Sequence, residues 1–205
     1  MNIEEKTLNR VRFVVDEACL QRLEQIMKGQ SPVEIEIGCG KAKFLIERAQ
    51  RFPMTQFIAL DRVGKWMNIG KKRAERRNLT NLLFIKAHAQ ELIQRSVPSE
   101  RIDAFHIYFP DPWPKRRHHK RRLVTAELLS VLYDRLQPQG TVWLATDDLD
   151  YRNFMERSAR TLGLGWTIRE RINQRFSEED SVKTNYEAKY QLAGKTLYYL
   201  EFCKP

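Results

Sequence analysis

Hydrophobic positions along this chain follow two alternating rhythms. Short runs rich in β-branched and aromatic residues, VEIEIG at 33–38, QFIALD at 56–61, LLFIKA at 82–87, DAFHIYF at 103–109 and QGTVWLATD at 139–147, read as strands. Each is followed by a segment with apolar residues at helical spacing. The first is KAKFLIERAQRF, with Phe44, Leu45, Ala49 and Phe52 in register, and the others are GKWMNIGKKRAERRN, AQELIQR, TAELLSVLYDRL and LDYRNFMERSARTLG, the last stopped by Gly163 and Gly165. Five such alternations predict an α/β fold, a mostly parallel sheet with helices on both faces. The rhythm breaks near the end, where GWTIRERI (165–172) and KTLYYLEF (195–202) read as two more strands joined by a polar segment, an antiparallel pair closing a seven-stranded sheet. Residues 1–30 precede the first strand and are expected to form an extended arm and a helix from Asp16 to Lys28, with Leu20, Leu23 and Met27 on one face. No repeat, low-complexity linker or boundary interrupts the pattern, so 1–205 is expected to be a single domain.

Composition narrows the class. An apolar fraction of 42% over 205 residues supports one substantial core and excludes disorder as the overall description. No apolar run reaches 18 residues, and MNIEEKTLNRVRF lacks the apolar stretch of a secretory signal, so no membrane association and a cytoplasmic location are expected. Cys19, Cys39 and Cys203 are odd in number, far apart and without a CxxC pair, which argues against disulfides and a bound metal and for buried, reduced thiols. The net charge of +10 points to a polyanionic partner. Residues 115–122 hold six Lys or Arg and no acid, leaving 30 basic against 26 acidic side chains elsewhere, and a second concentration, KKRAERR from Lys71 to Arg77, sets five bases against Glu75. Charge this local has the form of a docking footprint, although a solvated face would look similar.

Candidate chemistry sits at the strand ends, where open α/β sheets bind ligands. EIGCGKAK follows the first strand: Gly38 and Gly40 allow a tight turn, and the helix beginning near Lys41 offers free N–H groups. A dinucleotide fingerprint would need Gly where Lys43 stands, and Glu36 before the turn suits a cationic ligand better than a pyrophosphate. Asp61, at the end of the second strand, can accept hydrogen bonds from both hydroxyls of a ribose, or equally cap the next helix. Adenosine with a cationic amino-acid tail describes S-adenosylmethionine. His88, at the third strand end, is placed to contact the adenine. The fourth strand runs into FPDPW, where Pro110 and Pro112 stiffen the chain around Asp111, a catalytic carboxylate candidate, and Trp113 could stack on a base. Asp147 follows the fifth strand, either facing the site or capping the next helix, and TNYE lies in the final connection.

EIGCGKAKF, FPDPWPKRRHHKRRL, LATDD and TNYEAKY, in that order, resemble the bacterial tRNA (guanine-N7-)-methyltransferase family, and the similarity extends from Glu36 to the C-terminus. The resemblance implies a Rossmann-like class I methyltransferase that moves a methyl group from S-adenosylmethionine to N7 of a guanine in the tRNA variable loop; a monomer or homodimer without an obligatory protein partner is expected. It implies that Glu36, Asp61, His88 and Asp111 line the donor site, with Asp111 catalytic, and that Lys115, Asp147, Thr184, Asn185, Tyr186 and Glu187 engage the substrate. Arg116, Arg117, Lys120 and Arg121 are expected to contact tRNA phosphates. The chain departs from the family pattern at His88, usually Asp, at Asp61, usually Glu, and at Ala42, commonly Gly, departures expected to weaken donor affinity without abolishing it. Methylation of another base nitrogen, or tRNA binding without catalysis, would share these features.

Overall fold

The structure, a computed structural model, describes residues 16–176 and 184–205; the expected N-terminal arm, 1–15, and the stretch 177–183 lie outside the described residues. The five alternating units form as expected: β1 (Val33–Ile37), α2 (Lys43–Arg51), β2 (Gln56–Asp61), α3 (Gly64–Glu75), β3 (Leu82–Lys86), α4 (Ala89–Ser96), β4 (Ile102–Tyr108), α5 (Ala126–Arg135), β5 (Leu136–Thr146) and α6 (Leu149–Thr161), preceded by α1 (Glu17–Lys28). A 3₁₀ turn at Arg116–Arg121 interrupts the connection after β4. The closing strands are β6 (Thr167–Ile172) and β7 (Tyr198–Cys203), and the connection between them, read as a polar segment, contains a helix, α7 (Asn185–Leu192). A capping box forms it: Thr184 accepts from the Glu187 N–H while the Glu187 carboxylate accepts from the Thr184 N–H. Helical spacing of apolar residues is absent there, so periodicity gave no signal.

The strand order is β3-β2-β1-β4-β5-β7-β6, with β1 to β5 parallel and β7 antiparallel to both neighbours. Order therefore reverses between β1 and β4, and the carboxyl ends of these two strands frame the crevice where such sheets bind ligands. Alternation within the strands divides the core. Ile35, Ile37, Ile58, Phe105, Ile107 and Leu144 pack with α1, α4, α5 and α6, while Phe57 and Ala59 pack with Phe44, Leu45 and Met67 of α2 and α3. Glu34 and Glu36 fall on the second face, beside His106 in the adjacent strand. The cysteines are free, but only Cys39 is buried; Cys19 and Cys203 are half-buried, at elements that meet solvent.

Candidate active site at the carboxyl edge of the sheet

The turn after β1 is held in a left-handed path. Gly38, Gly40 and Ala42 have φ of 83°, 53° and 49°, and the Gly38 and Cys39 N–H groups both donate to Leu60 O at the end of β2. No heavy atom would meet a Cβ on either glycine, so backbone conformation, not space, calls for glycine. Ala42, the position where the family pattern favours Gly, carries a steric cost of roughly 1 kcal/mol for its left-handed φ. Asp61 ties the turn to β2. Its Oδ2 accepts from Gly40 N–H and its Oδ1 from Val63 N–H, both at 2.8 Å, so it braces the turn; it does not cap α3, whose N-cap residue is Val63, and it is not among the residues lining the cavity described below.

Gly70, on α3, supports the turn from behind. A methyl group there would lie 2.8 Å from Lys41 O and 3.1 Å from the Phe84 ring. Gly70→Ala is therefore expected to displace the 38–43 turn, costing about 1 kcal/mol of stability despite alanine's better helix propensity and weakening donor binding about tenfold. Thermal unfolding and calorimetric titration with S-adenosylmethionine check both effects.

A cavity of about 230 Å³ opens beside this turn, lined by Glu36, Gly38, Gly40, Tyr108, Thr184 and Tyr186 among others. Thus five residues far apart in the sequence expectation, Glu36, Gly38, Gly40, Thr184 and Tyr186, are brought to one space. Glu34 and Glu36 differ sharply although both point to the same face of β1. Glu34 accepts from Arg48 at 2.7 and 2.8 Å and lies 2.9 Å from His106 Nε2. Burial alone would raise its carboxyl, but those hydrogen bonds and charges outweigh burial and bring it down to about 2. Glu36 is 5% exposed, and its Oε2 is buried with no hydrogen-bond partner among the described residues. Burial, aided by the nearby Asp61 and opposed by the Arg175 charge, pushes its carboxyl up to about 8. A buried carboxylate without a partner, facing a cavity, fits a cationic ligand.

Other expected residues are placed differently. His88 is exposed at the start of α4, caps nothing, and is not among the residues lining the cavity. Glu187 is buried and saturated: Arg175 donates to both oxygens, at 2.8 and 2.5 Å, and Tyr199 Oη donates at 2.7 Å. Burial would raise its carboxyl, but Arg175 and Tyr199 hold it below the usual range. The bonds that assign Glu187 to the substrate edge on sequence grounds are thus occupied within the fold, where they hold Thr184 and Tyr186 at the cavity. Tyr186 is 57% exposed there, and the Asn185 side chain lies outside the described atoms. Arg175 stacks over Phe44 and Tyr108 as well, at 5.6 and 5.0 Å from the ring centres. It gave no sequence signal, because its partners, Phe44, Tyr108, Glu187 and Tyr199, are supplied by four separate segments.

The turn after β4 is stiffer than its prolines alone require. Phe109 and Trp113, on either side of Asp111, have φ of 52° and 50°, a strained conformation for bulky residues. Asp111 is exposed between them and makes no hydrogen bond among the described residues. Arg122 anchors the turn from below: its side chain is 0% exposed, and it donates to Pro112 O at 2.9 Å and to Asp150 at 2.5 Å. Trp113 packs against the basic tract, with Arg121 over its ring at 4.9 Å and His118 edge-on at 5.9 Å. The six-cation tract therefore splits. Arg116, Arg117, Lys120 and Arg121 are exposed, as is Lys115, which is not among the cavity-lining residues, whereas Arg122 is a buried structural cation. Asp147 pairs with Lys195, and the cap of α6 is its neighbour Asp148, which accepts from Tyr151 N–H at 2.7 Å.

Residues 30–200 match the family model described as putative methyltransferase. A tRNA (guanine-N(7)-)-methyltransferase of Nitrosomonas eutropha is 39% identical over 129 residues, 63% of this chain and 58% of that protein. One of Geobacter metallireducens is 33% identical over 181 residues, 85% of this chain and 82% of that protein. The chain thus spans a little over half the length of the first of these relatives and most of the second. Among solved structures, precorrin-6y C5,15-methyltransferase from Geobacter metallireducens superposes with a TM-score of 0.61 at 15% identity, covering 95% of this chain and 91% of that one, which shows the shared fold. With the family model matching most of the chain and the Geobacter metallireducens relative matched over most of both chains, the chain belongs to the tRNA (guanine-N(7)-)-methyltransferase family.

Proposed function

We propose that this protein transfers a methyl group from S-adenosylmethionine to N7 of a guanine in the variable loop of tRNA, acting as a single domain. The observation that carries this reading is the unpartnered Glu36 carboxylate facing the cavity, which suits the ammonium of the donor's amino-acid tail. The Gly38–Gly40 turn would lie under that tail, and Asp61, with lone pairs left on both oxygens, would accept from the ribose hydroxyls. When bound, the donor supplies an electrophilic methyl on a sulfonium. Guanine N7 already presents a lone pair, so no base has to remove a proton before attack. In the transfer the C–S bond would break as the N–C bond formed, with S-adenosylhomocysteine as the leaving group and the positive charge passing to the purine. Asp111 supplies a fixed anion near that developing charge, and the stiffness of its turn limits the reorganisation needed. A guanine held in tertiary pairing must first be extruded toward the site. Tyr186 and Thr184, positioned by Glu187, would receive it, while Arg116, Arg117, Lys120 and Arg121 hold phosphates.

Incubating unmodified tRNA with labelled S-adenosylmethionine and digesting it to nucleosides tests the reading. Label is expected in 7-methylguanosine. Label in another nucleoside would move the assignment to a different base nitrogen, and absence of donor binding at near-millimolar concentration would remove the enzymatic reading.

A further inference from the structure

The second basic concentration has no role in the site described so far. Between Arg62 and Arg77 the chain carries seven Lys or Arg and one acid, Glu75. These cations are exposed, from the turn before α3 along the helix to the turn that follows it. Several cations on the other helices are paired. Lys28 pairs with Glu24 on α1, Arg48 of α2 with Glu34, Arg95 with Glu91 on α4, and Arg152 and Arg160 with Glu156 on α6. Among the described residues, none of the seven cations of the α3 segment forms an ion pair. Lys72 and Arg76 stand four apart at the end of the helix, like charges that disfavour it by a few tenths of a kcal/mol, while Lys71 stands four before Glu75. Favourable alignment with the helix dipole accounts for Lys72 and Arg73 in the last turn, but not for Arg62 and Lys65 at the opposite end.

The beginning of α3 meets the cavity. Trp66 lines it at 41% exposure, and Lys41 and Lys65 lie over its ring at 4.8 and 5.6 Å. α3 connects β2 to β3, whereas the Arg116–Arg121 tract follows β4, so the two basic elements flank the β1 crevice from opposite sides. We propose that the exposed face of α3 is a second docking surface for the phosphate backbone of the tRNA substrate, gripping the RNA on the side of the cavity away from the Arg116–Arg121 tract. This inference rests on the tRNA reading above. A surface rich in unpaired cations and continuous with the cavity mouth attracts a polyanion without reading its sequence, and release of condensed counterions makes the attraction salt-dependent.

The test compares three full-length proteins for tRNA binding over a range of salt, with S-adenosylmethionine affinity and thermal unfolding measured alongside. They are the parent, the triple variant Lys72→Gln, Arg73→Gln and Arg76→Gln, and a control of equal net charge, Lys28→Gln, Arg95→Gln and Arg160→Gln. Gln preserves helix propensity, and all six positions are exposed. The α3 variant is expected to bind tRNA about tenfold or more weakly near physiological salt, with the log–log salt slope shallower by roughly two. Its donor affinity and its turnover at saturating tRNA should match the parent, and the control should keep the parent's slope. An α3 variant with the parent's slope and tRNA affinity overturns the docking surface while methylation by the parent leaves the function standing. Equal losses in variant and control overturn it too, because overall charge would then be the cause. A parent that shows no salt-dependent tRNA binding removes both readings.

Discussion

Replacing Glu36 with Gln is expected to make the ligand-free protein more stable than the parent above about pH 8 and, in the same substitution, to weaken donor binding about 10- to 100-fold. In the folded state burial holds this carboxyl up to about 8, against an ordinary value of 4.5. Between those two values the unfolded chain has lost its proton and the folded chain has not, so stability falls as pH rises through the window and levels off above it. The penalty at the plateau is up to roughly 5 kcal/mol, and Gln, which never ionises, does not incur it. For a chain of this size that corresponds to a Tm gap of about 10 °C or more, opening between pH 5 and pH 9. The binding loss follows from removal of a charge-assisted hydrogen bond worth about 1.5–3 kcal/mol. Thermal unfolding of both proteins across that range decides the matter: parallel profiles would show that Glu36 is already compensated in the ligand-free fold.

Arg122→Ala and Asp111→Ala should separate the two roles carried by the FPDPW segment and its tail. Arg122 is buried, bonded to Pro112 O and Asp150, and stacked 4.9 and 5.0 Å from the Tyr151 and Phe154 ring centres. Truncation empties that space and frees the turn, so a loss of about 3 kcal/mol is expected, together with a fall in turnover of 10-fold or more as Asp111 loses its fixed position. Asp111→Ala should abolish methyl transfer while leaving Tm within about 2 °C of the parent and tRNA binding nearly intact, because this exposed side chain makes no hydrogen bond among the described residues. Arg121→Ala, one residue from Arg122, should change stability by no more than about 0.5 kcal/mol. Measured side by side, a stable and active Arg122→Ala protein would refute the anchoring role, and full turnover by Asp111→Ala would take that carboxylate out of the reaction.

The fold was largely legible because its rules are local. Period-two and period-3.6 patterns located all seven strands and the helices between β1 and β6, and a helical crossover between successive strands makes the order parallel. The helix α7 escaped because its eight residues have no apolar stripe; a capping box and the Arg175–Glu187 pair hold it instead. Within the site, Glu36, Gly38 and Gly40 could be singled out from residue type and position at a strand end. The contrast between Glu34 and Glu36 could not. VEIEI presents two equivalent acids, and only the arrival of Arg48 from α2 and His106 from β4 neutralises the first and leaves the second alone.

A similar limit applied to the basic segments. A row of Lys and Arg looks uniform in sequence, yet Arg122 is a buried brace and its neighbours are free surface, a difference set by Asp150 and the aromatic rings of α6 that pack beneath it. By itself the sequence determined the sheet, the strand-end placement of the candidate chemistry and the chain's surplus of positive charge, because these depend on periodicity, turn-forming residues and net charge. Tertiary structure alone decided which carboxylate is left without a partner, which cation is buried and which polar residues are consumed in holding α7, because burial and pairing arise from residues far apart in the chain and carry no local signature.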